Sequence, residues 1–499
     1  MRQPNGDDAT VLVMFAPRRI VRMKNLSRAL VGLIFVHCLG ACGGGTAAAV
    51  QPAVPIPAVA WAPAVTLDAL IARNDADNSS PLSGFVLLVH NGQALYGRGF
   101  GKVDRHRALV PNLDTTFRIG SVTKTFTSAA IMLLIRDGRL ALNQKLGTLP
   151  LKVPAIFANV TVAQLLSHTS GIADFTDRPD YESFKNKNFS SAKLLDLIWQ
   201  GGADFSPGEK FQYSNSGYVV LGVMIEKITH RPFADFFKTR LFAPAGMTRT
   251  FVGEGGGPNM ANGYVADEDA DAISMTVPHA AGSIRSTARD LLAWHTLLQG
   301  NFFTPAEKTL LYTPVQANYG FGWIRTALVD GKYCIGHGGG IDGFVTSFRR
   351  LPDDDVVAIV LSNDMSNAPE VVGRALLLAY LGHAPVIEAV VLPSAYNFEK
   401  AKLLAGVYAM TAESTRQLAD LPSSVLASIA TITVSAYPDG LGFEPVGQPA
   451  QRLLAYGDGS YRLRTLNLVV TFDKLPSGVT ATPTFTVVQN ETTIHYQRM

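Results

Sequence analysis

Apolar residues run almost unbroken from Phe85 to Val89, stop at His90-Asn91-Gly92, and resume in the stretch "QALYGRGFGKVD". Two such runs around a turn signal predict a pair of strands joined by a tight hairpin. The period then changes. "SVTKTFTSAAIMLLIRDG" has helical spacing and stops at Gly138, which predicts a strong apolar helix ended by a glycine. "TLDALIARNDA" has the same spacing ahead of the strand pair, and further helices are predicted at Val162–Ser167, Ala192–Gln200, Tyr218–Ile228 and Ala288–Gln299. Strand texture returns at Tyr319–Ile324, Tyr333–Ile335, Phe344–Arg349 and Val356–Leu361, and "PEVVGRALLLAYLG" reads as a closing helix. Strands at both ends of a helical middle predict an α+β domain, with one sheet built from distant segments and a helical insert. From about Ala430 the chain becomes alternating strands with turn signals such as "YGDGS" and "LPSG", so residues 400–499 are expected to form a separate small β domain of the barrel kind.

Length and composition add limits. The chain has 499 residues, 47% of them hydrophobic, enough for a large core and too long for one compact domain. A net charge of +3, with no basic blocks interleaved with aromatics, argues against a nucleic-acid partner. The N-terminal region speaks for export. Lys24 and Arg28 precede an apolar stretch, Ala29–Leu39, too short to span a bilayer. It ends in Leu39-Gly40-Ala41-Cys42, which resembles a bacterial lipoprotein cleavage box with Cys42 as the lipid attachment site. Residues 1–42 are then an extension plus leader, and Met23 competes with Met1 as the start, because the segment with Asp7 and Asp8 fits no targeting pattern. The charge-free, Ala/Pro-rich residues 43–65 read as a tether. With Gly43 after the cysteine, the expected location is the cell envelope, lipid-anchored at the outer membrane and facing the periplasm. Cys38 and Cys42 belong to the leader, which leaves Cys334 alone and without an internal disulfide partner.

The larger domain is expected over residues 66–392. "GGGIDG" (338–343) formally matches a dinucleotide loop, but "FVTSFRR" after it is strand-like, where a phosphate loop needs a helix. No G-x-S-x-G elbow and no H-E-x-x-H occurs, and no histidines group at metal-ligand spacing, so neither cofactor nor metal is expected. "FRIGSVTKTFTSAA" places Ser121 at a helix start with Lys124 on the same face. There the serine gains an unpaired backbone N–H and a favourable dipole, and a desolvated lysine can take its proton. Ser190 and Lys193 repeat the spacing and read as a plain helix cap. "FSPGEKFQYSNSGY" adds Tyr213, a possible proton relay, and Asn215, an amide able to orient a substrate. "YCIGHGGGIDGF" adds His337.

The order Ser-x-x-Lys, Tyr-x-Asn, His-x-Gly resembles the penicillin-binding and class C β-lactamase-related serine hydrolases. "LLSHTSG", "GSIRSTARDL" and "YGFGW" support it, and the resemblance covers residues 66–382. It implies an antiparallel sheet flanked by helices with a helical subdomain, the β-lactamase/transpeptidase-like fold. It makes Ser121 the acylated nucleophile, Lys124 its proton partner, and Tyr213 the base for attack and acid for the leaving group. Asn215 would contact a substrate amide. The oxyanion would meet the backbone N–H groups of Ser121 and Gly340. His337, Gly339 and Gly340 would line the substrate, the glycines letting an edge strand lie against it. The β-lactamases and transpeptidases of this superfamily carry lysine where His337 stands. A mostly neutral imidazole weakens the case for penicillins and for peptides ending in a free carboxylate, while leaving it free to bond Tyr213 or a substrate oxygen. Expected substrates are small esters, amides or short peptides, with D-aminopeptidase or esterase chemistry ahead of DD-carboxypeptidase or β-lactamase. His168 in "LLSHTSG" reads as a loop-fixing residue, and the loops at 179–187 and 252–277 are expected to border the pocket. The rival is a non-catalytic envelope protein binding muropeptides or a protein partner on the same fold.

Overall fold

The computed structural model describes residues 82–383, apart from 256–258, 266–267 and 366–367; most of 396–499; and, before residue 82, only 63, 67, 68 and 71. The leader, Cys42 and all of the tether but Pro63 lie outside the described residues. A six-stranded antiparallel sheet is built from β1 (Gly84–His90), β2 (Gln93–Phe100), β3 (Ile324–Ala327), β4 (Tyr333–Ile341), β5 (Phe344–Leu351) and β6 (Val356–Ser362), in the order β2-β1-β6-β5-β4-β3. Sheet neighbours β1 and β6 are thus more than 250 residues apart, as the strand runs at both ends of the domain predict. Asn91 (φ 49°) and Gly92 (φ 72°) make the hairpin between β1 and β2, both in the left-handed region that such turns require.

The unbroken apolar run in β1 has a simple cause: both faces of the sheet are covered. Phe85, Leu87 and Val89 point into the main core with Ile359, Leu361 and Phe348. Val86 and Leu88 point the other way, to Val360, Leu376, Leu67 and Ile71. The main core holds the helices inserted between β2 and β3: α1 (Thr123–Arg136), α2 (Val162–Leu166), α3 (Ser191–Gln200), α4 (Asn215–Thr229) and α5 (Ala288–Gln299). A closing helix, α6 (Ala368–Tyr380), covers the opposite face. Twelve of the fourteen residues of α1 are buried, so it is a central helix wrapped on all sides, and Phe126 stacks on Trp294 of α5 at 4.3 Å. Ser190 caps α3 by accepting from the Lys193 backbone N–H, the plain role expected for the second Ser-x-x-Lys.

Two strand boundaries differ from expectation. Tyr319–Ile324 is a loop, since Gly322 takes a φ of +79° and turns the chain, and the strand begins only at Ile324. The strand expected at 333–335 runs on to Ile341 through all the glycines. Because β3 pairs only with Tyr333–Gly336, the second half of β4 is an open edge.

The C-terminal region is a closed barrel of eight antiparallel strands, Gly406–Met410, Thr431–Tyr437, Gly440–Pro445, Gln451–Ala455, Tyr461–Leu463, Leu468–Phe472, Thr484–Gln489 and Thr492–Arg498. The first strand pairs with both the second and the last, which closes the ring. Its interior is filled by alternate residues, among them Tyr408, Leu441, Phe443, Val470, Phe485 and Tyr496. Among the described residues no helix is long and apolar enough to cross a membrane.

Candidate active site

Ser121 sits in a short helical turn, Gly120–Val122, that leads straight into α1. Lys124 follows one turn later, and its Nζ donates to Ser121 Oγ at 3.0 Å, to Asn215 Oδ1 at 2.8 Å and to the Ala281 carbonyl at 3.0 Å. The amine is fully buried. Removal from water disfavours the charged form and brings Lys124 down to about 7, with Asp174 pulling the other way. An amine that is half neutral at neutral pH and within hydrogen-bond reach of a serine hydroxyl is equipped to accept its proton.

Tyr213 and Asn215 come from the loop that opens α4. The Tyr213 ring lies 4.8 Å from Lys124 Nζ, and its phenol is a hydrogen-bond partner of Ser121. Burial pushes that phenol well above its ordinary range, so it is held protonated. A phenolate is costly here, and the Lys124 amine stands within reach of the same serine hydroxyl. Asn215 Oδ1 accepts from Lys124, while its Nδ2 donates to Asp174 Oδ2 at 3.0 Å and lies 3.3 Å from Thr176 Oγ1. Both ends of the amide are engaged within the protein, and Asn215 links Lys124 to Asp174.

Sequence reasoning missed Asp174. The carboxylate accepts from the Asn215 and Thr176 backbone N–H groups at 2.8 and 2.9 Å, and from Thr176 Oγ1 at 3.0 Å. Burial raises its pKa while these donors pull it down. Through the Asn215 amide it acts as the counter-charge to Lys124. No local motif marks it; only the contact reveals it.

His337 is buried on β4, with both ring nitrogens engaged. Its Nε2 meets Tyr319 Oη at 2.9 Å and its Nδ1 meets the Gly338 carbonyl at 2.5 Å. With Nδ1 donating to that carbonyl, Nε2 accepts from the phenol. Burial, helped by Lys124, lowers His337 to about 3, so it is neutral throughout the ordinary pH range. Its partner is thus Tyr319, from the loop mistaken for a strand, and not Tyr213, whose ring centroid is 6.2 Å away. His168 does fix a loop: its Nδ1 accepts from the Ser214 N–H at 3.1 Å, and its ring packs 4.3 Å from that of Tyr213.

The glycines make a close backbone approach possible. A methyl on Gly339 would lie 2.0 Å from the Ile119 carbonyl oxygen, and one on Gly120 (φ +48°) would lie 2.9 Å from Gly340 N. Gly339 therefore lets the open edge of β4 press against the turn that carries Ser121. Gly340 stands beside the same turn. Among the described residues no three His, Cys, Asp or Glu side chains gather to hold a metal.

An antiparallel sheet flanked by helices, with a serine and a buried lysine at the head of the central helix, defines a serine hydrolase of β-lactamase/transpeptidase-like fold. The chain belongs to the Beta-lactamase family, whose model matches residues 67–382. It is 31% identical over 314 residues to Penicillin-binding protein 4* of Bacillus subtilis (strain 168), covering 56% of this chain and 68% of that relative. The D-amino acid amidase of Ochrobactrum anthropi SV3, solved with D-phenylalanine, shares the fold with a TM-score of 0.56 at 24% identity, over 64% of this chain and 98% of its own. An octameric penicillin-binding protein homologue from Pyrococcus abyssi matches with a TM-score of 0.57 at 21% identity, over 86% of this chain and 99% of its own, a span that reaches beyond the catalytic domain.

Proposed function

We propose that this chain hydrolyses a small ester, amide or short peptide through an acyl-enzyme on Ser121, with water as the final acceptor. The observation that carries the reading is the buried Lys124 amine, 3.0 Å from Ser121 Oγ and near neutrality at pH 7. Lys124 takes the Ser121 proton as Oγ attacks. The backbone N–H groups of Ser121 and Gly340 meet the developing oxyanion. The protonated Tyr213 phenol donates to the departing amine or alkoxide as the proton that Lys124 took from Ser121 replaces its own, so no phenolate persists, and the same groups act in reverse when water attacks the acyl-enzyme. A neutral, occupied His337 offers no charge to a carboxylate at its end of the cleft, so aminopeptidase-like or esterase chemistry is favoured over penicillin turnover. The shared fold with a D-amino acid amidase accords with an amide substrate. The leader and Cys42 support an envelope protein held by a lipid at the outer membrane, which the mass of the mature N-terminal peptide tests directly.

Intact-mass spectrometry of the chain from Gly43 onward, treated with a fluorophosphonate or with benzylpenicillin beside Ser121→Ala, tests the chemistry. The expected result is one fluorophosphonate adduct, absent in the variant, and no stable penicillin adduct. No adduct from either reagent would replace this reading with a binding protein on the same fold.

A further inference from the structure

Residues 168–174 run beside residues 204–215 and hold them along their length. The carbonyls of His168, Thr169 and Gly171 accept from the N–H groups of Gln212, Gly208 and Asp204 at 2.9, 2.7 and 2.8 Å. Ser214 Oγ donates to the Ile172 carbonyl at 3.1 Å, and Asp174 takes the Asn215 N–H. Tyr213 lies on this backing, and His168 brackets it. The His168 carbonyl bonds the residue before Tyr213, and its Nδ1 bonds the residue after, the Ser214 N–H at 3.1 Å. Its ring lies 4.3 Å from the Tyr213 ring, tilted by 33°. The rings of Tyr218 and Tyr319, at 5.0 and 4.6 Å, pack around the imidazole and keep its plane fixed.

The placement is costly. His168 takes a φ of +58°, uncommon for a residue with a side chain. Because Nδ1 accepts, the proton of the neutral ring is on Nε2, and that N–H is buried with no hydrogen-bond partner among the described residues. Fixing the loop does not require this. An asparagine also visits the left-handed region and carries an acceptor oxygen as far from the backbone as Nδ1. What the imidazole adds is a flat ring against Tyr213. That ring needs support from its face, because its hydroxyl is bonded to Ser121, and a group that gives up a proton during the reaction must exchange that partner.

We propose that His168 is the positioning residue of Tyr213, its ring setting where the phenol stands so that the proton reaches the leaving group. This rests on the hydrolase reading above, in which Tyr213 is the acid; His168 itself touches no substrate. The test uses the full mature chain with phenyl acetate and p-nitrophenyl acetate, which share one acyl group and differ in how far the leaving oxygen needs a proton. His168→Asn should raise the ratio of kcat/KM for the p-nitrophenyl over the phenyl ester by on the order of tenfold. Tyr213→Phe should raise it at least as far, and the double variant no further than Tyr213→Phe alone. His168→Phe, which keeps a ring and loses the acceptor, should stay near the wild-type ratio. Fluorophosphonate labelling, in which fluoride leaves without a proton, should fall no more in His168→Asn than in Tyr213→Phe.

A role confined to the loop would slow both esters and the labelling together with the ratio unmoved, which overturns the proposal. So does a ratio raised alike in His168→Asn and His168→Phe, or raised further in the double variant than in Tyr213→Phe. Fluorine NMR of the chain labelled with fluorotyrosine reads the placement without catalysis. The resonance missing from Tyr213→Phe should shift in His168→Asn, and an unmoved resonance also overturns the proposal. Absence of fluorophosphonate labelling in the wild type defeats the hydrolase reading separately, and the resonance still decides whether His168 sets the Tyr213 ring.

Discussion

Replacing Asp174 with asparagine removes a charge while keeping shape and hydrogen-bonding capacity. The carboxylate reaches Lys124 through one amide, with hydrogen bonds of 3.0 Å on its own side and 2.8 Å on the lysine side. The two charges are then about 7 Å apart, and at an effective dielectric constant of about 20 their attraction is about 2 kcal/mol. That attraction favours the charged amine, opposing burial, which favours the neutral one. Removing it must lower the Lys124 pKa, so the amine becomes neutral, and competent as a base, at lower pH. The assay is the rate of fluorophosphonate labelling against pH, followed by intact mass. In the wild type the rate should rise with a midpoint near 7, where Lys124 titrates. In Asp174→Asn the rising limb should move to lower pH by roughly one to two units. The plateau should also fall, because an asparagine can turn an N–H toward the Asn215 amide and loosen it. A limb that stays in place, or moves to higher pH, refutes the idea that Asp174 sets the charge state of Lys124.

Three further outcomes are expected. Tyr213→Phe should keep fluorophosphonate labelling within about tenfold, since fluoride leaves without a proton, while hydrolysis of an amide falls by about 10²–10⁴; loss of labelling would restore Tyr213 as the base. Gly339→Ala places a methyl 2.0 Å from the Ile119 carbonyl, and should cost about 1–3 kcal/mol in urea unfolding and slow labelling by displacing the Ser121 turn. Wild-type stability and labelling together would contradict that packing. His337→Lys should create no penicillin adduct by intact mass and should lower stability by about 1–3 kcal/mol, because the buried Tyr319 hydroxyl loses its acceptor and the new amine is desolvated. A stable adduct would show that the lysine is all the site lacks.

What the sequence discloses and what it hides divide along physical lines. Strands buried on both faces, such as β1 and β6, leave continuous apolar runs, and the buried α1 leaves a dense helical one, so the sheet and its central helix are legible. Ser121, Lys124 and Tyr213 are legible because their spacing within short segments matches a chemistry. Asp174 and Tyr319 are not. Asp174 reaches the Asn215 side chain across 41 residues and Tyr319 reaches His337 across 18, and neither carries a local pattern to announce it. The loop around Tyr319 misleads for a related reason: its aromatic residues look like a strand, and only the positive φ of Gly322 shows the chain turning.

The same contacts alter how the Ser-x-x-Lys, Tyr-x-Asn and His-x-Gly elements are understood. Read as isolated motifs, Asn215 and His337 seem to face the substrate. In the fold, one amide is spent between Lys124 and Asp174, and one imidazole between Tyr319 and the strand backbone. Both are therefore parts of the frame that holds the cluster together, while burial is what lowers the lysine and keeps the phenol protonated. An amine near neutrality is useful only if its lone pair faces the serine. Hydrogen bonds from Lys124 to Asn215 and Ala281 occupy its other directions and leave one for Ser121.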